Sequence, residues 1–165
     1  MKKRNTTALI ILLICLMALN ACGKSASYAN NVSVSAIADS VDAAIGKDDG
    51  SLVSVDESYI SGSMQMDVSG VSDYVVKINA YGANIDEYGI FKGADTAQTK
   101  ELASAVESYL QMRNDTWMTE YMPEEHPKME SASYVTVGNY VMYAILDDDV
   151  KQTAFDTLES CLTEG

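Results

Sequence analysis

The sequence predicts an α+β domain: a four-stranded antiparallel sheet packed against helices in two layers, in the order α-β-β-α-β-β-α. Three observations carry that prediction. Residues 74–80 and 86–92 are β-branched and aromatic runs on either side of a Gly82-Ala83-Asn84 turn region. Residues 133–146 hold two more apolar runs around Gly138-Asn139, a dipeptide that suits a two-residue hairpin turn. Between the pairs, Leu102, Val106, Tyr109, Leu110, Arg113 and Trp117 share one helical stripe.

The elements follow in order. Ile37, Val41, Ala44 and Ile45 fall at helical spacing from Ser35 to Gly46, with a Lys-Asp-Asp-Gly-Ser turn behind them. Leu52, Val55 and Tyr59 keep a helical step, consistent with a short second helix over residues 54–61. The first strand pair comes next, and then Asp95 and Thr96 offer an N-cap for the long helix, which runs to about Glu120 and is stopped by Pro123. A loop or single helical turn at Pro123-Glu-Glu-His-Pro-Lys-Met returns the chain to the sheet. In the hairpin, Val135, Val137, Tyr140 and Met142 share one face, and Tyr134, Thr136, Val141 and Tyr143 the other. Both faces are apolar, which places the hairpin centrally in the sheet. Asp147, Asp148 and Asp149 head a last helix with Val150, Ala154, Phe155, Leu158 and Cys161 on one side.

Ahead of the domain stands an export leader. Lys2, Lys3 and Arg4 precede twelve apolar residues, 8–19, and Leu19-Asn20-Ala21-Cys22 closes the stretch with small residues before a cysteine. That arrangement resembles the lipobox of bacterial lipoproteins, which implies cleavage between Ala21 and Cys22 and acylation of the Cys22 thiol with chains of the palmitate kind. Twelve apolar residues fall short of the roughly 20 that a helical span needs, so an uncleaved signal anchor is the weaker reading. The expected organisation is a signal peptide at 1–21, a lipidated cysteine and flexible tether at 22–34, and one domain at 35–165.

Removing the leader leaves eight basic against twenty-four acidic residues, a net charge of −16. Nucleic acid, whose phosphates demand a basic footprint, is excluded as a partner. Of three cysteines, Cys15 leaves with the leader and Cys22 is used for lipid, so Cys161 has no partner for an internal disulfide.

Catalytic signals are sparse. His126, the single histidine, sits in a polar loop between Glu125 and Pro127, where a solvent-facing role is the favoured reading. Cys161 points inward by helical phase and reads as a structural thiol. The acidic runs Asp48-Asp49, Asp86-Glu87 and Asp147-Asp148-Asp149 match no calcium loop, so neither a metal nor another cofactor is expected. Asp86 and Glu87 are neighbours on a strand and point to opposite faces, so they cannot act together as a hydrolytic pair. The ten tyrosines suit either a core or an adaptable binding face. On a sheet covered on one side only, Tyr134 and Tyr143 mark a candidate interaction surface.

Asp86-Glu87 leading into Ile90-Phe91-Lys92, the long helix after it, Tyr121-Met122-Pro123-Glu124-Glu125, and Gly138-Asn139-Tyr140 at the head of a strand together resemble a bacterial lipoprotein family, domain of unknown function 4358. The resemblance spans about residues 74–158. It implies a small envelope lipoprotein of Gram-positive anaerobes and no established activity, so no catalytic residue transfers with it.

These readings converge on an extracytoplasmic lipoprotein held at the cell membrane through Cys22. Its domain is expected to be a non-enzymatic binding or accessory module acting on an envelope protein or wall polymer. The alternative is an envelope hydrolase that uses a carboxylate pair contributed by different elements. A solute receptor ranks last, because 144 residues with one core provide no second lobe to close on a ligand.

Overall fold

The computed structural model describes residues 27–81, 84–118 and 120–163. The leader, Ala21 and Cys22 lie outside the described residues. Within them the order is α1 (Val34–Ala44), β1 (Leu52–Ser54), α2 (Glu57–Gly62), β2 (Asp73–Asn79), β3 (Glu87–Lys92), α3 (Thr96–Asp115), α4 (His126–Glu130), β4 (Ser133–Val137), β5 (Tyr140–Ile145) and α5 (Asp148–Leu162).

The sheet has five strands, not the four expected, in the order β1-β2-β3-β5-β4 with every neighbouring pair antiparallel. The extra strand, β1, is three residues long and too short to show alternation. Two short helices, α2 and α4, also interrupt the expected order. The first is initiated by Asp56, whose side chain accepts from the Tyr59 backbone N–H; of the helical step read at Leu52, Val55 and Tyr59 only Tyr59 lies in it, since Leu52 belongs to β1 and Val55 precedes the cap.

Two layers become three, because helices cover both faces of the sheet. On one face, α1 and α5 pack Ile37, Val41, Leu158 and Leu162 onto Tyr88, Ile90, Tyr140 and Met142. On the other, α3 and its neighbours pack Leu102, Val106 and Met129 onto Val76, Phe91, Val141 and Tyr143. The strands β3 and β5 are therefore buried on both sides, which is why their text is nearly continuous in apolar residues. The hairpin register is the expected one, Val137 opposite Tyr140 and Tyr134 opposite Tyr143. Only β5 of that hairpin is central, because β4 forms an outer edge of the sheet.

Capping sets the long helix. Asp95 accepts from the Gln98 N–H at 2.9 Å, and the helix closes at Thr116, short of the expected Glu120. The domain also begins earlier than residue 35. The backbone N–H of Ala29 donates to Leu162 O at 2.8 Å, Tyr28 bridges Thr163, and the Tyr140 hydroxyl donates to Val32 O at 2.6 Å. Tyr28 and Val32 thereby join the core beneath α5. The segment from Tyr28 onward is part of the domain and not of a tether.

Candidate functional site

Among the described residues, the most buried charged side chain is Glu87, at 2% exposure on the α3 side of β3. An isolated carboxylate at such a depth would carry a large desolvation cost, and here three donors offset it. Tyr109 Oη donates at 2.5 Å and Tyr143 Oη at 2.7 Å to Oε1, while Arg113 Nη1 donates at 2.9 Å to Oε2. Arg113 also donates to Tyr109 Oη at 2.8 Å, one helical turn away. Burial first, and then the charge of Glu87, pushes the Tyr109 and Tyr143 phenols above their ordinary value. All four groups are locked to one another, so the cluster is a cage with no free acid or base.

Asp86, one residue earlier, turns the other way, into a clamp at the end of the sheet. Lys47 and Lys128 each reach it at 2.9 Å. Lys128 also contacts Glu125 at 3.1 Å, and Glu125 accepts from the Ile85 backbone N–H. Burial pushes the Asp86 carboxyl up, but the hydrogen bonds and charges of Lys128 and Lys47 outweigh it and hold the group below the usual carboxylate range. A third buried acid, Asp42 on α1, pairs with Lys77 and accepts from Tyr88 Oη at 2.7 Å. These pairings tie helices and loops to the sheet. Among the described residues, no group of three or more His, Cys, Asp and Glu side chains is arranged to hold a metal ion.

The residues singled out from sequence fall in different places. Tyr143 has no exposed surface and faces α3, so it is no part of an interaction surface. The open face expected for it is absent because α3 covers it. Tyr134 is half-buried against the same cluster. His126 opens α4, the single helical turn that was one of the two forms expected for this tract, and its ring stacks on Trp117 with centroids 5.9 Å apart. Cys161 is half-buried beside the α1–α5 core.

A groove of about 400 Å³ opens between α3, α4 and the start of β4. Leu110, Met129 and Tyr134 form its apolar part, and Glu107, Asn114 and Glu130 supply polar groups. Among the described residues, no basic one lines it. Tyr134 is the only one of the predicted surface residues that reaches it. The family described as domain of unknown function, DUF4358, matches residues 47–146. The chain belongs to this family. No curated protein and no solved structure matches the chain. The DUF4358 region holds the Glu87 cage, the Asp86 clamp and the groove, while α1 and α5 lie outside it.

The sequence offered one signal for the cage that went unused. Arg113 sits on the apolar stripe of a helix that packs on the sheet, and a guanidinium in that position requires a buried acid. Glu87 was that acid. The groove had no such signal, since its residues come together only when β4 is placed beside α3.

Proposed function

We propose that this chain is a membrane-anchored extracytoplasmic lipoprotein whose domain is a non-enzymatic binding or accessory module of the bacterial cell envelope. The observation that carries the reading is the engagement of the interior acids. Asp42, Asp86, Glu87 and Glu125 are each closed by a lysine or arginine of the same fold. A hydrolase built on two carboxylates needs one of them free to exchange a proton with substrate and the other free to attack or to activate water. The groove between α3, α4 and β4 has an apolar part, which suits contact more than turnover.

The point at which the chain joins the domain supports the anchor. Tyr28 is already packed beside α5, six residues after Cys22. At roughly 3.3–3.6 Å per residue, the link reaches at most about 22 Å, so acyl chains on Cys22 would hold the domain close to the bilayer.

The test is metabolic labelling with radioactive palmitate in a Gram-positive host, followed by membrane fractionation. Wild type should take the label and sediment with membranes, and Cys22→Ala should lose both. Membrane retention of unlabelled Cys22→Ala would overturn the anchor. Turnover of an envelope substrate, abolished by substituting one acid, would overturn the non-enzymatic reading.

A further inference from the structure

We infer that the outer edge of β4, with the groove beside it, docks an extended basic peptide segment that adds as a sixth strand to the sheet. The inference rests on the proposed role as a binding module and names the class of partner.

The first observation is the edge itself. An exposed strand edge is a template for pairing, and proteins usually blunt it with lysine, proline, a bulge or short length. The other edge of this sheet, β1, is blunted by its three-residue length. The sequence of β4, Ser-Tyr-Val-Thr-Val, has neither charge nor proline, and its pairing with β5 runs through all five residues without a bulge. Its outward groups follow from the turn. Gly138 has a φ of +56°, and the two-residue loop makes Val137 and Tyr140 the hydrogen-bonded pair that closes the hairpin. Val137, Val135 and Ser133 then direct their amide groups toward β5, and Tyr134 and Thr136 direct theirs outward. Thr136 is exposed, and among the described residues no other strand pairs with β4.

The second observation is what lies beside that edge. A strand added along β4 would send alternate side chains to the α3 face, where the groove begins at Ser133 and Tyr134. Leu110 and Met129 offer apolar contact there, and Glu107 and Glu130 offer negative charge, with no cation among the described residues that line the groove. Main-chain pairing would supply affinity, and the groove would select apolar and basic side chains. A second copy of this chain suits the edge poorly, because each mature chain carries a net charge of −16 and would bring acid to acid.

The test uses the full lipidated chain in neutral detergent micelles. The probes are a synthetic octapeptide alternating lysine with valine and threonine, its isomer with glutamate for lysine, and a version of the lysine peptide N-methylated at alternate residues. Fluorescence anisotropy at 0.1 M salt should show saturable binding of the lysine peptide alone, weakened at least tenfold by Glu107→Lys combined with Glu130→Lys. Thr136→Pro, which removes an outward N–H, should weaken it similarly. Should that variant misfold, the N-methylated probe tests the same bonds without altering the protein. Absence of saturable binding, equal binding of the glutamate isomer, or full binding of the N-methylated peptide would overturn the inference. Sedimentation velocity that reveals a dimer lost in Thr136→Pro would overturn it too, by assigning the edge to a second copy. Anchoring is read separately through Cys22→Ala, so failure here leaves the lipoprotein reading intact.

Discussion

Replacing Glu87 by alanine tests whether the buried cage holds α3 to the sheet. The change strips an acceptor from two tyrosine hydroxyls and leaves the Arg113 guanidinium without its carboxylate. Removing one partner of a buried ion pair costs about 3–5 kcal/mol. The Arg113 side chain is 25% exposed and can recover some water, so the low end applies, about 3 kcal/mol. Set against a typical stability of roughly 5–15 kcal/mol, that is a large share. It corresponds to a fall in Tm of roughly 6–12 °C at about 2–4 °C per kcal/mol. Urea titration followed through Trp117 fluorescence and far-ultraviolet circular dichroism reads the difference directly. Tyr143→Phe should cost only about 1 kcal/mol, because Glu87 keeps two donors. Glu87→Met combined with Arg113→Met should be milder than Glu87→Ala alone, since it buries no uncompensated charge. A loss below about 1 kcal/mol for Glu87→Ala would refute the argument that this charge pairing organises the α3 side.

Two further outcomes follow from the same packing. A methyl added at Gly89 would stand 2.4 Å from Tyr143 Cε1 and 3.0 Å from Val76 Cγ2, and Tyr143 is held in place by its bond to Glu87. Gly89→Ala should therefore cost about 1–3 kcal/mol in urea titrations, and markedly less in a Tyr143→Leu background, where the ring no longer obstructs it. In alkaline titration, Tyr88, Tyr109 and Tyr143 are all raised, first by burial and then by the neighbouring acids. Because their folded values exceed the unfolded value of about 10, the stability they contribute is complete below that pH and is lost as pH climbs above it. The phenolate signal of these three should arrive only as circular dichroism reports unfolding. Full ionisation of Tyr88, Tyr109 and Tyr143 with unchanged circular dichroism would contradict this.

Local elements were legible where one segment carried its own signal. The hairpin register and the Asp95 cap follow from residues within a few positions of each other, and the antiparallel β2–β3 pair from two runs that adjoin one turn region. The layer count was also written in the text, since both faces of 133–146 are apolar and a sheet with two apolar faces must be covered twice. Reading those faces as centrality alone led to a two-layer expectation and put Tyr143 on a surface. Strand β1 and the early domain boundary at Tyr28 were beyond local reading. The first is held by pairing to β2, and the second by contacts with residues more than a hundred positions away.

The geometry of β4 links Tyr28, where the described chain begins to pack, to the groove. Tyr28 lies against the turn that ends β4, with its Cβ 3.0 Å from where a Gly138 side chain would begin. Ser133, at the other end of the strand, lines the groove. Five residues separate them, a rise of roughly 17 Å at about 3.3 Å per residue. On the anchored reading, the strand edge starts near the attachment point and leads away from it toward Glu107 and Glu130. A peptide pairing along β4 would meet those acids at the end remote from the attachment, where a segment presented by another envelope component could reach them without entering the lipid headgroups. An anchor moved to the C-terminus by engineering would not reverse this arrangement, because Thr163 bridges Tyr28 and leaves the domain at the same end. Moving the lipid to the Asp86 end would reverse it. Loss of partner capture in that chimera, with peptide affinity in micelles unchanged, would separate the orientation of the groove from its chemistry.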